Sequence, residues 1–164
     1  MVPNSSPHMR RRRPGVPAAS SEEARRRMIA TRSEDTGPER RLRSELHNLG
    51  LRFRLHQRVI PGVRRQADIV FGPARVAVFV DGCFWHSCPI HETTAKANAA
   101  FWKKKLADNI RRDADTNARL EAAGWKVIRI WEHEQPSLAA QQIAKAVRRR
   151  RRRLGGRSLT RSRV

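Results

Sequence analysis

The chain has 164 residues, 36 Lys and Arg against 15 Asp and Glu, and a formal net charge of +21. That length suits one domain rather than two. No apolar run is long enough for a bilayer span, the basic start has no following apolar stretch of a secretory signal, and two cysteines make no disulfide framework, so membrane-spanning and disulfide-stapled secreted classes are not expected.

The charge is uneven. Residues 1–20 hold four Arg and no acid, and residues 145–164 hold ten basic residues and no acid. Residues 1–20 read as a disordered basic arm, 21–147 as one domain, and 148–164 as a basic tail. The arms favour a polyanionic partner, nucleic acid ahead of a membrane surface, although a charge block is equally a solvated face.

Ser21–Arg32 can start a short helix, with Ser20 or Ser21 as cap and Glu22 and Glu23 in the first turn. A second helix is expected from Thr36–Glu39, where Thr36 and Glu39 have capping-box spacing and Pro38 suits a first turn. Leu42, Leu46 and Leu49 give it one apolar face, and Gly50 ends it. Alternation predicts strands over Arg52–Ile60, Gln66–Phe71 and Ala74–Val80, punctuated by Pro61-Gly62 and Gly72-Pro73. The third is nearly all apolar, as expected of a central strand buried on both faces. A compact loop, Asp81–His91 (DGCFWHSCPIH), precedes a long helix over about Lys96–Ala123, with Trp102, Leu106, Ile110 and Leu120 inward and Gly124 as its stop. Lys126–Trp131 is another strand, and Pro136 opens a last helix running into Arg148–Arg153. The order predicts an α/β fold, a mixed central sheet flanked by helices.

Three groups of residues carry chemistry. Cys83, Cys88 and His91 are soft and nitrogen ligands within nine residues, and His133, at the end of Lys126–Trp131, is the best fourth. Together they suit a structural zinc ion that staples the loop to the sheet. The same cysteines read as buried thiols or as a disulfide, the latter disfavoured without a secretion signal. Asp68, inside an apolar strand, is either paired in the core or holds a hard cation such as Mg²⁺. Phe84 and Trp85, adjacent in a loop, either pack beneath it or form a wedge that enters a base stack. Beside them His86 suits a general base near neutral pH. No nucleotide-binding, esterase or zincin motif is present.

Taken together, DGCFWHSCPIH (81–91), the Asp68 strand, MIATRSEDTGPE (28–39), LHNLGLRFR (46–54), FWKKKLADNIRRD (101–113) and GWKVIRIWEHE (124–134) resemble the very-short-patch-repair (Vsr) DNA mismatch endonucleases. The resemblance covers about residues 25–135 and leaves the arms outside. It implies a restriction-endonuclease-like fold, a PD-(D/E)xK variant with a structural zinc site. It also implies Mg²⁺-dependent nicking of double-stranded DNA 5′ to the thymine of a T:G mismatch, which arises from deaminated 5-methylcytosine.

Residue by residue, the resemblance makes Asp68 and the main-chain carbonyl of Val80 ligands of Mg²⁺, His86 the general base, and Glu39 an acid that orients the site. Cys83, Cys88, His91 and His133 become the Zn²⁺ ligands. Met28, Phe84 and Trp85 become the residues that intercalate at the mismatch. The second acid and the lysine of the wider superfamily are missing from the Ala74–Val80 strand. Asp81 stands where some relatives have a histidine, either as a metal ligand or as a group that tunes His86. The expected protein is a cytoplasmic, nucleoid-associated monomer, with mismatch-repair proteins as further partners and no membrane. Two other readings stay open: a non-catalytic, zinc-stabilised DNA-binding relative, and a PD-(D/E)xK nuclease acting on other DNA.

Overall fold

A computed structural model describes residues 21–23, 26, 34–62, 64–91 and 97–159. The chain divides into two compact units, residues 1–31 and 32–164. Met28, the stretch 1–20 and most of the helix expected over Ser21–Arg32 lie outside the described residues.

The second unit opens with helix α1, Gly37–Asn48. Its cap is the predicted one. Thr36 Oγ1 accepts from the Glu39 amide at 3.4 Å and donates to Glu39 Oε1 at 3.0 Å, while Glu39 Oε2 accepts from the Asp35 amide at 3.0 Å. Two amides at the helix start are thereby satisfied. Leu42 and Leu46 are buried. At the other end Gly50, at φ +72°, permits a left-handed turn in which Leu51 N bonds Leu46 O and Gly50 N bonds His47 O.

Four strands form one sheet in the order β1-β2-β3-β4: β1 Arg54–Gln57, β2 Ala67–Phe71, β3 Val76–Asp81 and β4 Lys126–Trp131. The pairs β1–β2 and β2–β3 are antiparallel, and β3–β4 is parallel, so the sheet is mixed as expected. Strand β1 is shorter than the predicted Arg52–Ile60. His56 sits in it at φ +48°, between the paired positions Leu55–Ile69 and Gln57–Ala67, and a left-handed residue interrupts a regular ladder. Gly72–Ala74 is a short 3₁₀ turn, which delays β3 to Val76.

Strand β3 is central and covered on both faces. Val76 and Val78 pack with Leu42, Leu46 and the last helix, and Ala77 packs with Leu120 and Val127 on the other side. Helix α2, Ala99–Ala122, carries the crossover from β3 to its parallel neighbour β4. Gly124 (φ +80°) ends it with the same bonding as Gly50, Trp125 N to Leu120 O and Gly124 N to Glu121 O. Its inward stripe is 102-106-109-113-116-120, so Ile110, predicted inward, is 49 % exposed. It lies one position, about 100°, off that stripe. The polar members Asn109, Asp113 and Thr116 take the inward places because polar groups of the loop and sheet await them.

Helix α3, Pro136–Leu159, buries Ala139, Ala140, Ile143, Ala144 and Val147 against the sheet and continues through Arg148–Arg153. The parallel pair β3–β4 brings Asp81 opposite Trp131, and Glu132 N bonds Asp81 O at 2.9 Å. The chemistry-bearing loop leaves from this carboxyl end of the strands, the usual place for a site in an α/β sheet.

Candidate active site and metal centre

The loop 82–91 is tied down at several points. Cys83 N donates to Glu132 Oε1 (2.6 Å), Cys88 N to Cys83 O (3.0 Å), and Asn109 Nδ2, from α2, to Trp85 O (2.9 Å). This brings Cys83, Cys88, His91 and His133 together, with their ligand atoms all within 4.8 Å of one another. His91 Nδ1 lies 3.6 Å from Cys83 Sγ and 3.7 Å from Cys88 Sγ, and His133 Nδ1 lies 3.1 and 3.8 Å from the same sulfurs. A tetrahedral ion with ordinary zinc–sulfur and zinc–nitrogen bonds sets sulfur and nitrogen ligands roughly 3.6 Å apart. Three of the four separations match, and the fourth is tighter.

The donor set therefore fits a metal ion. Both cysteines are free thiols and buried. Burial pushes the Cys83 thiol up to about 11, with Cys88 adding to it. Burial also opposes the Cys88 thiolate, but the amides of His91 and Ile90 hold that thiol below its ordinary value.

Asp68 projects from β2 toward β3. Its Oδ2 accepts from the Val80 amide at 2.7 Å, and its Oδ1 accepts no hydrogen bond among the described residues. Burial pushes its carboxyl up to about 6; the Val80 bond opposes this, the charge of Glu39 adds to it, His56 opposes it and Asp81 adds to it. Glu39, 4 % exposed, thus caps α1 and also faces Asp68. Asp35, Glu39 and His56 offer ligand atoms within 4.8 Å of one another. A buried carboxylate crowded by other acids favours a cation.

His86 anchors a second polar group. Its Nδ1 lies 2.5 Å from Asp113 Oδ2 and 3.7 Å from Asp81 Oδ1. Arg129, from β4, grips both acids. Its Nε and Nη2 donate to the two oxygens of Asp81 at 2.6 and 2.9 Å, and its Nη2 lies 3.0 Å from Asp113 Oδ1. Asn117 accepts from Nη1 at 3.1 Å, and the guanidinium covers the Phe79 ring at 5.1 Å. Burial opposes the charge of Asp113, yet His86 and Arg129 hold its carboxyl below the ordinary range. The Asp81 carboxylate, 5 % exposed, is thus occupied by a bidentate arginine. It stands between the two groups, close to His86 and felt by Asp68.

Phe84 and Trp85 are half-buried and meet a third ring, Trp102 of α2, with centroid separations of 5.1 to 5.8 Å. Sequence reasoning placed Trp102 in the core and did not single out Asp113, Arg129 or His56. The signal for Asp113 was its place on the inner stripe, four residues after Asn109 and three before Thr116. Met28 lies outside the described residues.

The family model described as DNA mismatch endonuclease Vsr matches residues 19–92. The type II nicking enzyme V.NaeI of Lentzea aerocolonigenes is 47 % identical over 112 residues, 67 % of this chain and 68 % of that protein. The type II nicking enzyme V.XorIIP of Xanthomonas oryzae pv. oryzae is 42 % identical over 123 residues, 74 % and 88 % of the two chains. DNA mismatch endonuclease Vsr of Escherichia coli (strain K12) is 39 % identical over 108 residues, 65 % of each. These matches take in the Asp68 strand and the loop that carries His86, and with them this chain belongs to the Vsr family of endonucleases.

Proposed function

We propose that this protein nicks one strand of double-stranded DNA 5′ to the thymine of a T:G mismatch, by Mg²⁺-dependent hydrolysis of a single phosphodiester on a PD-(D/E)xK-type core, and so starts very short patch repair. The observation that carries this reading is His86. It follows Phe84 and Trp85 directly in the loop, and Asp113 takes its Nδ1 at 2.5 Å, which leaves Nε2 for a water proton.

Asp68 and the carbonyl of Val80 would hold Mg²⁺. Bound there, Mg²⁺ supplies charge neutralisation at the scissile phosphate and at the leaving oxygen. Asp113 orients the imidazole and stabilises it once protonated, as the carboxylate of a catalytic triad does. Arg129 helps keep Asp113 ionised and holds the Asp81 carboxylate in a two-pronged pair. Glu39 orients the Asp68 side of the site. Phe84 and Trp85, with Trp102, enter the base stack; the family resemblance gives the same role to Met28, which lies outside the described residues. Unstacking costs a few kcal/mol and is cheaper at a weak pair, which favours a mismatch. Cys83, Cys88, His91 and His133 would hold Zn²⁺, which fastens the loop to β4.

On this reading residues 21–147 are the catalytic domain, flanked by basic segments 1–20 and 148–164. The protein acts as a monomer in the cytoplasm, at the nucleoid and beside mismatch-repair proteins. Among the described residues no helix is long and apolar enough to cross a membrane.

The test is strand-specific cleavage of an end-labelled duplex with one T:G mismatch, with and without Mg²⁺, beside Asp68→Ala. One nick just 5′ to the T, lost without Mg²⁺ and lost in Asp68→Ala, is the expected result. Binding without any nick favours a non-catalytic relative, and equal cutting of matched duplex favours a general nuclease.

A further inference from the structure

The run Arg148–Arg153 lies inside a helix rather than in a separate tail, and its position along the sheet is defined. Helix α3 leaves the carboxyl end of β4 and runs back along the sheet. At its far end Arg150 donates to the carbonyls of Ala74 (3.2 Å) and Gly124, the residues that precede the starts of β3 and β4. The His86 loop leaves from the opposite end of those strands. Six residues of β3 separate the two ends, about 20 Å at the strand rise.

Among the described residues Arg150 is the one arginine of the six whose side chain has a structural partner. Arg148, Arg149, Arg151, Arg152 and Arg153 are exposed, and none of their side chains makes an ion pair or hydrogen bond among the described residues. Elsewhere exposed arginines do pair, Arg111 with Asp108 and Arg119 with Asp115, as does the half-buried Arg43 with Asp35. No acid follows Glu134 in the sequence to relieve the run. Like charges on adjacent turns destabilise a helix, yet the helix is continuous across all six.

We infer that this end of α3 is a second duplex-DNA contact, about 20 Å from the catalytic loop, that grips the phosphates flanking the nicked segment. The inference rests on the reading that the substrate is duplex DNA. Lys145, Arg148 and Arg152 lie on one side of the helix, and Arg149 and Arg153 are one position round from them. Together they border a groove against Leu49, at the end of α1. From Lys145 to Arg153 is about 12 Å of helix axis, which matches three to four phosphates of one strand at about 3.4 Å each. Guanidinium groups bind phosphate oxygens in bidentate fashion. The apolar side of α3, Ala139 to Val147, is already in the core. Leu138, 59 % exposed, stands alone near the start of the helix, away from the arginines, so their end of α3 lacks the continuous apolar face that a membrane-surface helix requires. A 20 Å offset is about six base pairs, so the contact falls on flanking DNA.

The test uses the full-length, metal-loaded protein and the variant Arg148→Gln/Arg149→Gln/Arg152→Gln/Arg153→Gln, with Arg150 kept. A cooperative melt of the variant establishes that it folds. Affinity for a 30-base-pair T:G duplex and for a 10-base-pair T:G duplex is measured from 50 to 200 mM NaCl. Each lost phosphate contact lowers the log–log salt slope by about 0.9. The expected result is a slope shallower by roughly 3 to 4 on the long duplex and unchanged on the short one. Parallel slopes on the long duplex, with tight binding by both proteins, overturn the contact while leaving the nicking reading intact. Failure of the unaltered protein to bind either duplex overturns the DNA reading itself. Equal loss on both duplexes overturns the flanking position, and arginine-dependent binding to phosphatidylserine vesicles in place of the long duplex overturns the choice of partner.

Discussion

Asp68 bears on stability and, under the proposed mechanism, on chemistry. Burial and neighbouring acids push its carboxyl up to about 6 from an ordinary 3.8. A raised pKa in the folded state means that the fold prefers the protonated acid. Its favourable contribution is fully present below about pH 4 and is lost as the pH rises through about 6. Above that, in Mg²⁺-free solution, the ionised carboxylate destabilises the fold by roughly 2–3 kcal/mol. Asp68→Asn keeps an oxygen for the Val80 amide. It should therefore melt several degrees higher than the unaltered protein at pH 7.5 without Mg²⁺, and no higher at pH 4, while losing nicking. An equal melting temperature at pH 7.5 would sink this account of the site.

On the proposed mechanism Asp113 is a positioning residue that acts through His86, whose Nδ1 it meets at 2.5 Å. Asp113→Asn should lower kcat by about 10²-fold or more, by analogy with the loss of an orienting carboxylate, with little change in the KM for DNA. A raised KM at constant kcat would instead mark Asp113 as a binding residue. Both residues were unequally visible in the chain. Asp68 stood out because a lone acid breaks an apolar strand. Asp113 did not, because an acid on a long charged helix looks solvated until the helix is turned to face the loop.

Among the elements, the loop 82–91 owes its shape to two neighbours, β4 and α2. The side chain of Glu132 and the ring of His133 hold one side of it, and Asn109 holds the other. On the proposed metal assignment, removing the ion by a strong chelator, or replacing Cys88 with Ser, should free the loop from β4. The expected result is a lower melting temperature and a Trp85–Trp102 fluorescence change, followed by loss of nicking that added Mg²⁺ alone does not restore. Full nicking by a chelated protein in Mg²⁺ would remove the metal from any role in holding the loop. The zinc-type spacing of Cys83, Cys88 and His91 was readable locally. Helix α1 and its cap were readable too, since Thr36, Pro38, Glu39 and Gly50 each have a local physical role. Strand β1 was overread, because the alternation of Arg52–Ile60 carries no sign that His56 adopts a left-handed backbone.

Across the whole molecule Arg129 joins the layers. One guanidinium on β4 serves Asp81 on β3 and Asp113 and Asn117 on α2. Burial lowers its affinity for a proton, but the two acids more than offset this. Arg129→Gln strands two part-buried carboxylates, and breaking such a pair costs about 3–5 kcal/mol. The double variant Arg129→Gln/Asp81→Asn should recover part of that loss in a denaturant titration. Strict additivity of the two single effects would show that the residues do not act as a unit.

The sequence alone determined the order of the elements from α1 onward, the α1 cap, the central burial of β3 and the identity of the motif-bearing residues. These depend on periodicity, capping and composition, which act over a few residues. The tertiary structure alone decided that Asp113 rather than solvent meets His86, that Arg129 occupies Asp81, that Trp102 joins Phe84 and Trp85, and that the arginine run lies at the far end of the sheet. Each of these joins residues from different elements. They follow from the parallel pairing of β3 with β4, the angle at which α2 crosses between them and the return path of α3, and no local rule of the chain specifies those three together.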